Sequence, residues 1–259
     1  MSFYVMSDIH GYFDVFQTML KKIDFSDEDE LIIAGDYIDR GPQSLEMLRW
    51  MEACPDNILL LKGNHDAEFA ECISVMDLYA RILGLNEKDI VDTQTLYSAV
   101  ICIPEVENAY FDYYGTIKAL VFEKEICLSE LKQHAETLRH LPYYYKRTVD
   151  GRKYVIVHAG YYEDKSISQS EMQQFYLYAR EEAYFLYGGV PDSTIIAGHT
   201  PTIATSTRMY TGGRVFKHYD QKQNCTFYDI DCGCGFRDLD DSDGRLACMR
   251  LGDEEVFYV

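Results

Sequence analysis

The chain is poor in basic residues, and this shortage bears on what it can bind. Across its 259 residues, lysine and arginine number 24 against 43 aspartates and glutamates, so the net charge is −19. A surface this acidic repels the phosphates of nucleic acids and the headgroups of anionic lipids. We therefore expect neither a nucleic acid duplex nor a membrane among its partners, whereas local cations can still recruit a phosphorylated substrate.

The chain also lacks long apolar runs and the marks of a secreted protein. No run approaches the ~18 apolar residues of a membrane helix. The segment Met1–Met6 leads straight into Ser7 and Asp8 without a basic region or a long apolar core, which argues against a signal peptide. The eight cysteines are mostly far apart and do not suggest a disulfide framework. These features predict a reduced, cytoplasmic protein.

No internal repeat or low-complexity linker divides the chain, so we expect a single domain over residues 1–259. Apolar residues make up 47% of the chain, which is enough for a full core. Residues 12–23 show helical periodicity, and Ser44 is a candidate cap for a second helix. Short apolar runs alternate with these helices near the N-terminus, which indicates an α/β architecture.

Residues 67–150 have a different pattern from the rest of the chain. Helical periodicity covers residues 67–85 and 129–141, and aromatic clusters occur at Tyr110–Tyr114 and Leu141–Tyr145. We expect this span to be a mostly helical insertion that lies near the functional site.

Five short apolar runs each lead into a polar cluster that contains Asp, Asn or His. Such runs are typical of buried strands, and sites in α/β proteins form at the carboxyl ends of strands. The polar side chains are therefore expected to meet at one edge of the fold. The five runs are Phe3–Met6, Leu31–Ala34, Ile58–Leu61, Tyr154–Val157 and Thr194–Ala197.

The polar residues at these strand ends offer carboxylate, imidazole and amide donors. Mixed nitrogen and oxygen ligation suits manganese, iron or zinc better than calcium or magnesium. Six such residues are too many for one metal with an open position, but they suffice for two metals that share a carboxylate. We expect two divalent ions, with manganese favoured over iron or zinc. The candidate ligands are Asp8, His10, Asp36, Asn64, His158 and His199.

Two metal ions about 3.5–4 Å apart are suited to in-line displacement at phosphorus by a bridging hydroxide. The reaction also needs an acid for the leaving oxygen and a cation for the developing charge. His65, next to Asn64, is the candidate acid, and Asp39 is the candidate to orient it. Arg40 and Arg180 are candidates to bind the phosphate.

Five motifs carry these candidates: Asp8-Ile9-His10-Gly11, Gly35-Asp36-Tyr37-Ile38-Asp39-Arg40-Gly41, Gly63-Asn64-His65-Asp66, His158-Ala159-Gly160 and Gly198-His199-Thr200. Together they resemble the calcineurin-like metallophosphoesterases, and more narrowly the bacterial members of the phosphoprotein-phosphatase branch. The resemblance covers about residues 1–70 and 140–259. It implies an α/β fold in four layers, a two-sheet β-sandwich flanked by helices.

The resemblance also implies a role for each candidate residue. The first metal would be held by Asp8, His10 and a bridging Asp36. The second would be held by Asp36 together with Asn64, His158 and His199. His65 and Asp39 would form the acid pair, and Arg40 would bind phosphate. The segment Leu177–Glu182 resembles the part of the family that carries a second phosphate-binding arginine, here Arg180.

Two departures from the eukaryotic protein phosphatases bear on the choice of substrate. Asp66 stands where those enzymes carry Glu, and their Gly-Gly turn is reduced here to Tyr114-Gly115-Thr116. We expect both positions to lie where the substrate is selected.

Three functions remain open at this point. The leading hypothesis is a metal-dependent phosphatase that acts on phosphomonoesters, most like a serine/threonine protein phosphatase. The alternative is a diadenosine polyphosphate hydrolase on the same scaffold, which a tyrosine-rich insertion favours because aromatic rings stack on bases. A catalytically silent phosphate-binding module ranks below both, because no ligand or acid position is missing. The expected partner is thus a phosphorylated protein or a nucleotide.

Overall fold

The fold is described from a computed structural model. It covers residues 1–104, 111–164, 166–181, 183, 190–239 and 242–259. Two residues named above, Tyr110 of the first aromatic cluster and Glu182 of the segment around Arg180, lie outside the described residues.

The first sheet has five strands in the order β10-β9-β1-β2-β3. Strands β1, β2 and β3 run parallel, whereas β9 pairs antiparallel with both β1 and β10. Three of the predicted apolar runs thus form the parallel part of this sheet. The strands are β1 (Phe3–Met6), β2 (Glu30–Ile33), β3 (Ile58–Leu60), β9 (Ala247–Arg250) and β10 (Val256–Tyr258).

The second sheet also has five strands, in the order β4-β5-β6-β8-β7. Its inner strands β5, β6 and β8 are parallel, and the edge strands β4 and β7 are antiparallel to their neighbours. The other two predicted runs lie in β5 and β6. The strands are β4 (Tyr144–Val149), β5 (Arg152–Val157), β6 (Thr194–Ala197), β7 (Phe216–Asp220) and β8 (Cys225–Asp229).

Seven helices have described bounds, and the three predicted helical segments correspond to α1, α3 and α6. Ser44 is the first residue of α2 rather than its cap, because its hydroxyl accepts a hydrogen bond from the Asp39 amide at 3.2 Å instead of from the helix. None of the helices in the described ranges is both long and apolar enough to cross a membrane. The helices are α1 (Phe13–Lys22), α2 (Ser44–Glu52), α3 (Asn64–Leu83), α4 (Ile90–Val100), α5 (Thr116–Phe122), α6 (Leu128–Arg139) and α7 (Gln169–Tyr178).

Successive side chains of the buried strands point to opposite faces of each sheet, and this explains how the layers stack. Val5 and Ile32 of the first sheet pack with Ile156 and Ile196 of the second, so these faces meet between the sheets. The opposite face of the first sheet shares one hydrophobic core with helices α1 to α6, and that of the second shares another with α7. The predicted two-sheet sandwich flanked by helices is confirmed.

The span 67–150 contributes helices to one side of the molecule. Most of α3 and all of α4, α5 and α6 lie in it, and α3 packs along α6. Strand β4, near the end of the span, belongs to the second sheet. The turn that precedes α5 reaches the site described next.

Candidate metal centre and active site

The strand ends of the two sheets meet at one edge of the sandwich. The amide of Asp8, just after β1, donates to the Gly35 carbonyl after β2 at 3.1 Å. His158, just after β5, has its Nδ1 2.9 Å from the Ala34 carbonyl oxygen. The amide of His199, which follows β6, donates to Oδ2 of Asp8 at 3.1 Å. Side chains that are far apart in the sequence are therefore brought into one cluster, as predicted.

Glycines at two of the motifs allow this close approach. A Cβ on Gly198 would lie 2.0 Å from Oδ2 of Asp8, and one on Gly63 would lie 2.1 Å from Oδ1 of Asp36. Any side chain at these positions would displace a candidate metal ligand.

Six of the ten candidate residues have a positive φ between 50° and 71°. This left-handed region is uncommon for residues other than glycine, and such strain concentrates at functional sites. Packing and hydrogen bonds from neighbouring strands must hold these residues in place. They are Asp8, His10, Asp36, Asp39, Arg40 and His199.

A first group of donor atoms surrounds one carboxylate oxygen of Asp36. Nε2 of His10 lies 3.7 Å from Oδ2 of Asp36, and Nε2 of His65 lies 3.8 Å from the same oxygen. The Nδ1 atom of His10 lies 3.0 Å from the Ile38 carbonyl oxygen, so Nε2 is the atom left to face the site. Asp8 is beside this group, with Oδ1 3.9 Å from Nε2 of His10. Of these buried residues, His10, Asp36 and His65 have atoms close enough together to hold a metal ion, whereas Asp8 lies beside that group and is not part of it.

A second group surrounds the other oxygen of the same carboxylate. Nε2 of His158 lies 3.5 Å from Oδ1 of Asp36, 3.0 Å from Oδ1 of Asn64 and 3.2 Å from Nδ1 of His199. Oδ1 of Asn64 and Nδ1 of His199 are 2.9 Å apart. Asp36 thus belongs to both groups, which is the position expected of a carboxylate shared by two metal ions.

The protonation states fit cation binding. Burial lowers the pKa of His10 and of His199 well below the ordinary value, so both imidazoles are neutral and offer a lone pair. Burial raises the pKa of the Asp8 carboxyl to about 6, because the charged form is poorly solvated there. A divalent cation between converging lone pairs would relieve this desolvation, so the donor set fits two such ions.

The candidate acid pair is in direct contact. Nδ1 of His65 lies 2.6 Å from Oδ2 of Asp39, and the hydroxyl of Thr116 donates to the other oxygen of Asp39. Burial by itself lowers the pKa of His65, but the charges of Asp36 and Asp39 outweigh it and raise the pKa to about 9. At neutral pH the ring therefore carries the proton that a leaving oxygen needs.

Both candidate arginines reach the same cavity. The guanidinium of Arg40 lies over the ring of Phe236 at 4.3 Å and over that of Tyr114 at 5.0 Å, and its Nη2 donates to the Tyr114 hydroxyl at 3.2 Å. Arg180 is exposed, and its Nη1 donates to the His199 carbonyl at 3.3 Å. Two cations thus border the donor groups on the solvent side.

A cavity of about 880 Å³ opens above the donor groups. Several of its wall residues were not predicted from the sequence. The sequence nevertheless contains features that point to three wall residues. Tyr113 and Tyr114 belong to an aromatic cluster, and Glu68 lies one helical turn after Asn64. The unpredicted wall residues include Glu68, Tyr113, Tyr178, Asp231 and Phe236.

The expectation that Asp66 helps to select the substrate is wrong. Its side chain is fully buried, and its carboxylate accepts hydrogen bonds from the amides of Asp36, Tyr37 and Gly63 at 2.9, 3.1 and 2.8 Å. Asp66 therefore ties two motif loops together beneath the site. The other departure, the turn at Tyr114, does face the cavity.

The two-sheet sandwich, with donor groups at its edge that could hold metal ions, has the arrangement expected of a metallophosphoesterase. The family model of the calcineurin-like phosphoesterases matches residues 1–229, and the chain belongs to that family. The predicted family and enzyme class are confirmed.

Comparisons with individual proteins are more limited. The symmetrical bis(5'-nucleosyl)-tetraphosphatase of Wigglesworthia glossinidia brevipalpis is 41% identical over 90 residues, which cover 34% of this chain and 31% of that protein. The enzyme of the same name from Nitrosococcus oceani is 32% identical over 109 residues, covering 42% and 35% of the two chains. The matches thus span about a third of these relatives.

A solved structure supports the fold over the whole chain. The metallophosphoesterase from Sphaerobacter thermophilus superposes with a TM-score of 0.54 at 15% sequence identity. The match covers 100% of this chain and 88% of the other. At this identity the likeness concerns the fold alone.

Proposed function

We propose that this protein hydrolyses dinucleoside tetraphosphates at the central phosphoanhydride bond and releases two nucleoside diphosphates. The observation that carries the proposal is the cavity, which is much larger than one phosphoryl group requires and is bordered by tyrosines. The relatives named as symmetrical tetraphosphatases support the same substrate class. These findings favour the alternative hypothesis over the protein phosphatase.

In this proposal each predicted residue keeps the role given above. One divalent ion would be held by Asp8, His10 and Asp36, and the other by Asp36 with Asn64, His158 and His199. Manganese remains the proposed metal. When bound, the two ions lower the pKa of a water molecule and supply positive charge to the phosphoryl oxygens.

The remaining chemistry belongs to side chains of this chain. A water molecule gives up one proton to the solvent, and its oxygen bonds to one central phosphorus while the bond from that phosphorus to the bridging oxygen breaks. His65 donates a proton to the departing oxygen, and Asp39 holds the His65 ring in position. Arg40 and Arg180 bind the phosphate chain by charge-assisted hydrogen bonds.

A serine/threonine protein phosphatase is the second candidate, and the acid pair favours it. A serine alkoxide is a poorer leaving group than a nucleoside diphosphate and depends more on proton donation. The contact between His65 and Asp39 holds a proton donor in position, which such a reaction needs.

A direct comparison of substrates separates the two candidates. Diadenosine tetraphosphate and a phosphoserine peptide are supplied at equal concentration with Mn²⁺, and kcat/KM is measured for each. We expect a higher value for the nucleotide, with ADP as its product. A higher value for the peptide would overturn the proposed function. The H65N variant serves as the control and should lose most of both activities.

We further propose that the protein acts in the cytoplasm as a single domain. All eight cysteines are free thiols, and four of them, including Cys232 and Cys248, are buried. This agrees with a reducing compartment.

A further inference from the structure

We propose that Tyr113 and Tyr114 form a subsite for the nucleobase of the nucleotide that leaves. The inference rests on the proposed function and names the residues that select a nucleotide over a bare phosphate chain.

Tyr114 places the subsite next to the acid. Its ring lies 4.8 Å from the ring of His65, measured between centroids. The ring of Tyr113 lies a further 4.9 Å from that of Tyr114, at an interplanar angle of 87°. In the leaving nucleoside diphosphate, two phosphates and a ribose separate the base from the scissile bond. The base therefore belongs beyond His65, in the direction in which Tyr113 lies.

The ring of Tyr113 is accessible to a ligand. The residue is 69% exposed and lines the cavity, whereas Tyr114 is 40% exposed. Base stacking on an aromatic ring tolerates any base, because every base has a π-face. This suits an enzyme whose substrates share phosphates rather than one base.

The turn that carries both tyrosines is held in place before any ligand arrives. The carboxylate of Asp112 accepts hydrogen bonds from the Tyr97 hydroxyl and from the amides of Ile117 and Lys118, all at 2.8 Å. Gly115, with a φ of +72°, closes the turn at the start of α5. A platform fixed in advance loses little conformational entropy when it binds a ligand.

Arg40, the proposed phosphate-binding cation, lies beside the subsite formed by the two tyrosines. Arg40 donates a hydrogen bond to the Tyr114 hydroxyl, and its guanidinium lies over the Tyr114 ring. His65, Arg40 and the exposed ring of Tyr113 follow one another in the same order as the scissile oxygen, the phosphates and the base along a nucleotide. The phosphoserine side chain itself has no group that would stack on the ring.

The test compares substrates with and without a base. In the presence of Mn²⁺, kcat/KM is measured for diadenosine tetraphosphate and for inorganic tripolyphosphate, in the wild type and in Y113A and Y113F. We expect the ratio of the two values to fall five- to tenfold in Y113A and to be restored in Y113F, because the ring and not the hydroxyl stacks. An unchanged ratio in Y113A would overturn the proposal.

A matched control is Y219A. Tyr219 is 52% exposed on β7, away from the cavity, and its hydroxyl donates to Asn224 at 3.0 Å. This variant should keep the wild-type ratio.

A second readout separates failure of the subsite from failure of the proposed function. ADP and pyrophosphate are compared as inhibitors of tripolyphosphate hydrolysis. We expect ADP to bind at least fivefold more tightly than pyrophosphate in the wild type, and this preference to disappear in Y113A. If the wild type does not cleave diadenosine tetraphosphate but shows this preference, the function is wrong and the subsite stands. If ADP and pyrophosphate inhibit equally, the subsite is wrong.

Discussion

At the scale of single residues, the site depends on carboxylates in different environments. Asp36 faces the donor groups with both oxygens, Asp39 pairs with His65, and Asp66 is buried among backbone amides. The sequence predicted the first two, because their motif is local. The role of Asp66 could not be predicted, because its three partners become visible only once the loops are folded.

Replacing Asp39 by Asn should change the pH dependence of the reaction. Proton donation requires protonated His65, so activity is present below the pKa of His65 and is lost as the pH rises through it. Asp39 helps to raise that pKa, and D39N therefore lowers it. We expect the alkaline limb of the kcat/KM profile to move to lower pH and kcat to fall by about 100-fold.

The profile is measured with diadenosine tetraphosphate in saturating Mn²⁺. The exposed Asp27 provides the control D27N, which should keep the wild-type profile. If the alkaline limb of D39N stayed in place, His65 would not be the acid.

Replacing Asp66 by Ala should destabilise the protein. The change leaves three buried amides without their acceptor, and each unsatisfied group costs about 1–3 kcal/mol. We expect the free energy of unfolding to fall by about 3 kcal/mol or more in urea denaturation. D27A at the exposed Asp27 should stay within about 0.5 kcal/mol of the wild type. A similarly small effect in D66A would show that water replaces the carboxylate.

At the scale of elements, α3 links the donor groups to the rim of the cavity. Oε1 of Glu68 accepts hydrogen bonds from Nδ2 of Asn64 at 3.3 Å and from the hydroxyl of Tyr178, at the end of α7, at 3.0 Å. The first bond turns the amide oxygen of Asn64 towards His158. The second holds the end of α7, two residues before Arg180.

Removing the Glu68 carboxylate should therefore weaken metal binding. Partners that orient a metal ligand are worth about 10–100-fold in affinity. We expect the Mn²⁺ dissociation constant to rise about tenfold in E68A and much less in E68Q, whose amide oxygen can still accept from Asn64. Titration calorimetry on the metal-free protein measures both, with the exposed Glu123 as control in E123A. Equal affinities in E68A and the wild type would show that Asn64 needs no support.

The elements also show how far sequence reasoning extends. The strands β1 and β6 were predicted with their observed bounds, because each is a short apolar run that ends at a motif. The contact of Thr116 with Asp39 was not predicted, because it joins positions 77 residues apart and depends on how the insertion packs. The carboxyl ends of parallel strands meet at one edge of a sheet, so motifs at strand ends can be placed from the sequence. No comparable rule places a turn between two helices.

At the scale of the whole molecule, the candidate metal centre lies between the two sheets. Asp8, Asp36 and Asn64 follow strands of the first sheet, and His158 and His199 follow strands of the second. Metal bound there would contact both sheets and would stabilise the folded state only, since the unfolded chain lacks the site.

Metal loading should therefore raise the thermal stability of the whole molecule. A ligand at 100 times its dissociation constant stabilises by about 2.7 kcal/mol, which for a chain of this size corresponds to roughly 5–10 °C in Tm. Calorimetry on chelated and Mn²⁺-loaded protein measures the shift. The H158N variant is the control and should lose most of it. If the protein unfolded in two separate thermal transitions and metal raised the Tm of only one, the single domain and a metal site shared by the two sheets would both be contradicted.

The pairing of β1 has a consequence for how the protein is made. One edge of β1 pairs with β2, which follows soon after in the sequence, but the other edge pairs with β9, with Tyr4 opposite Arg250. On the ribosome, a nascent chain therefore carries an open apolar strand edge until β9 has been translated. Such an edge can pair with other chains. A chain stalled or truncated just before β9 should therefore aggregate and depend on chaperones, even though all five candidate motifs are already present.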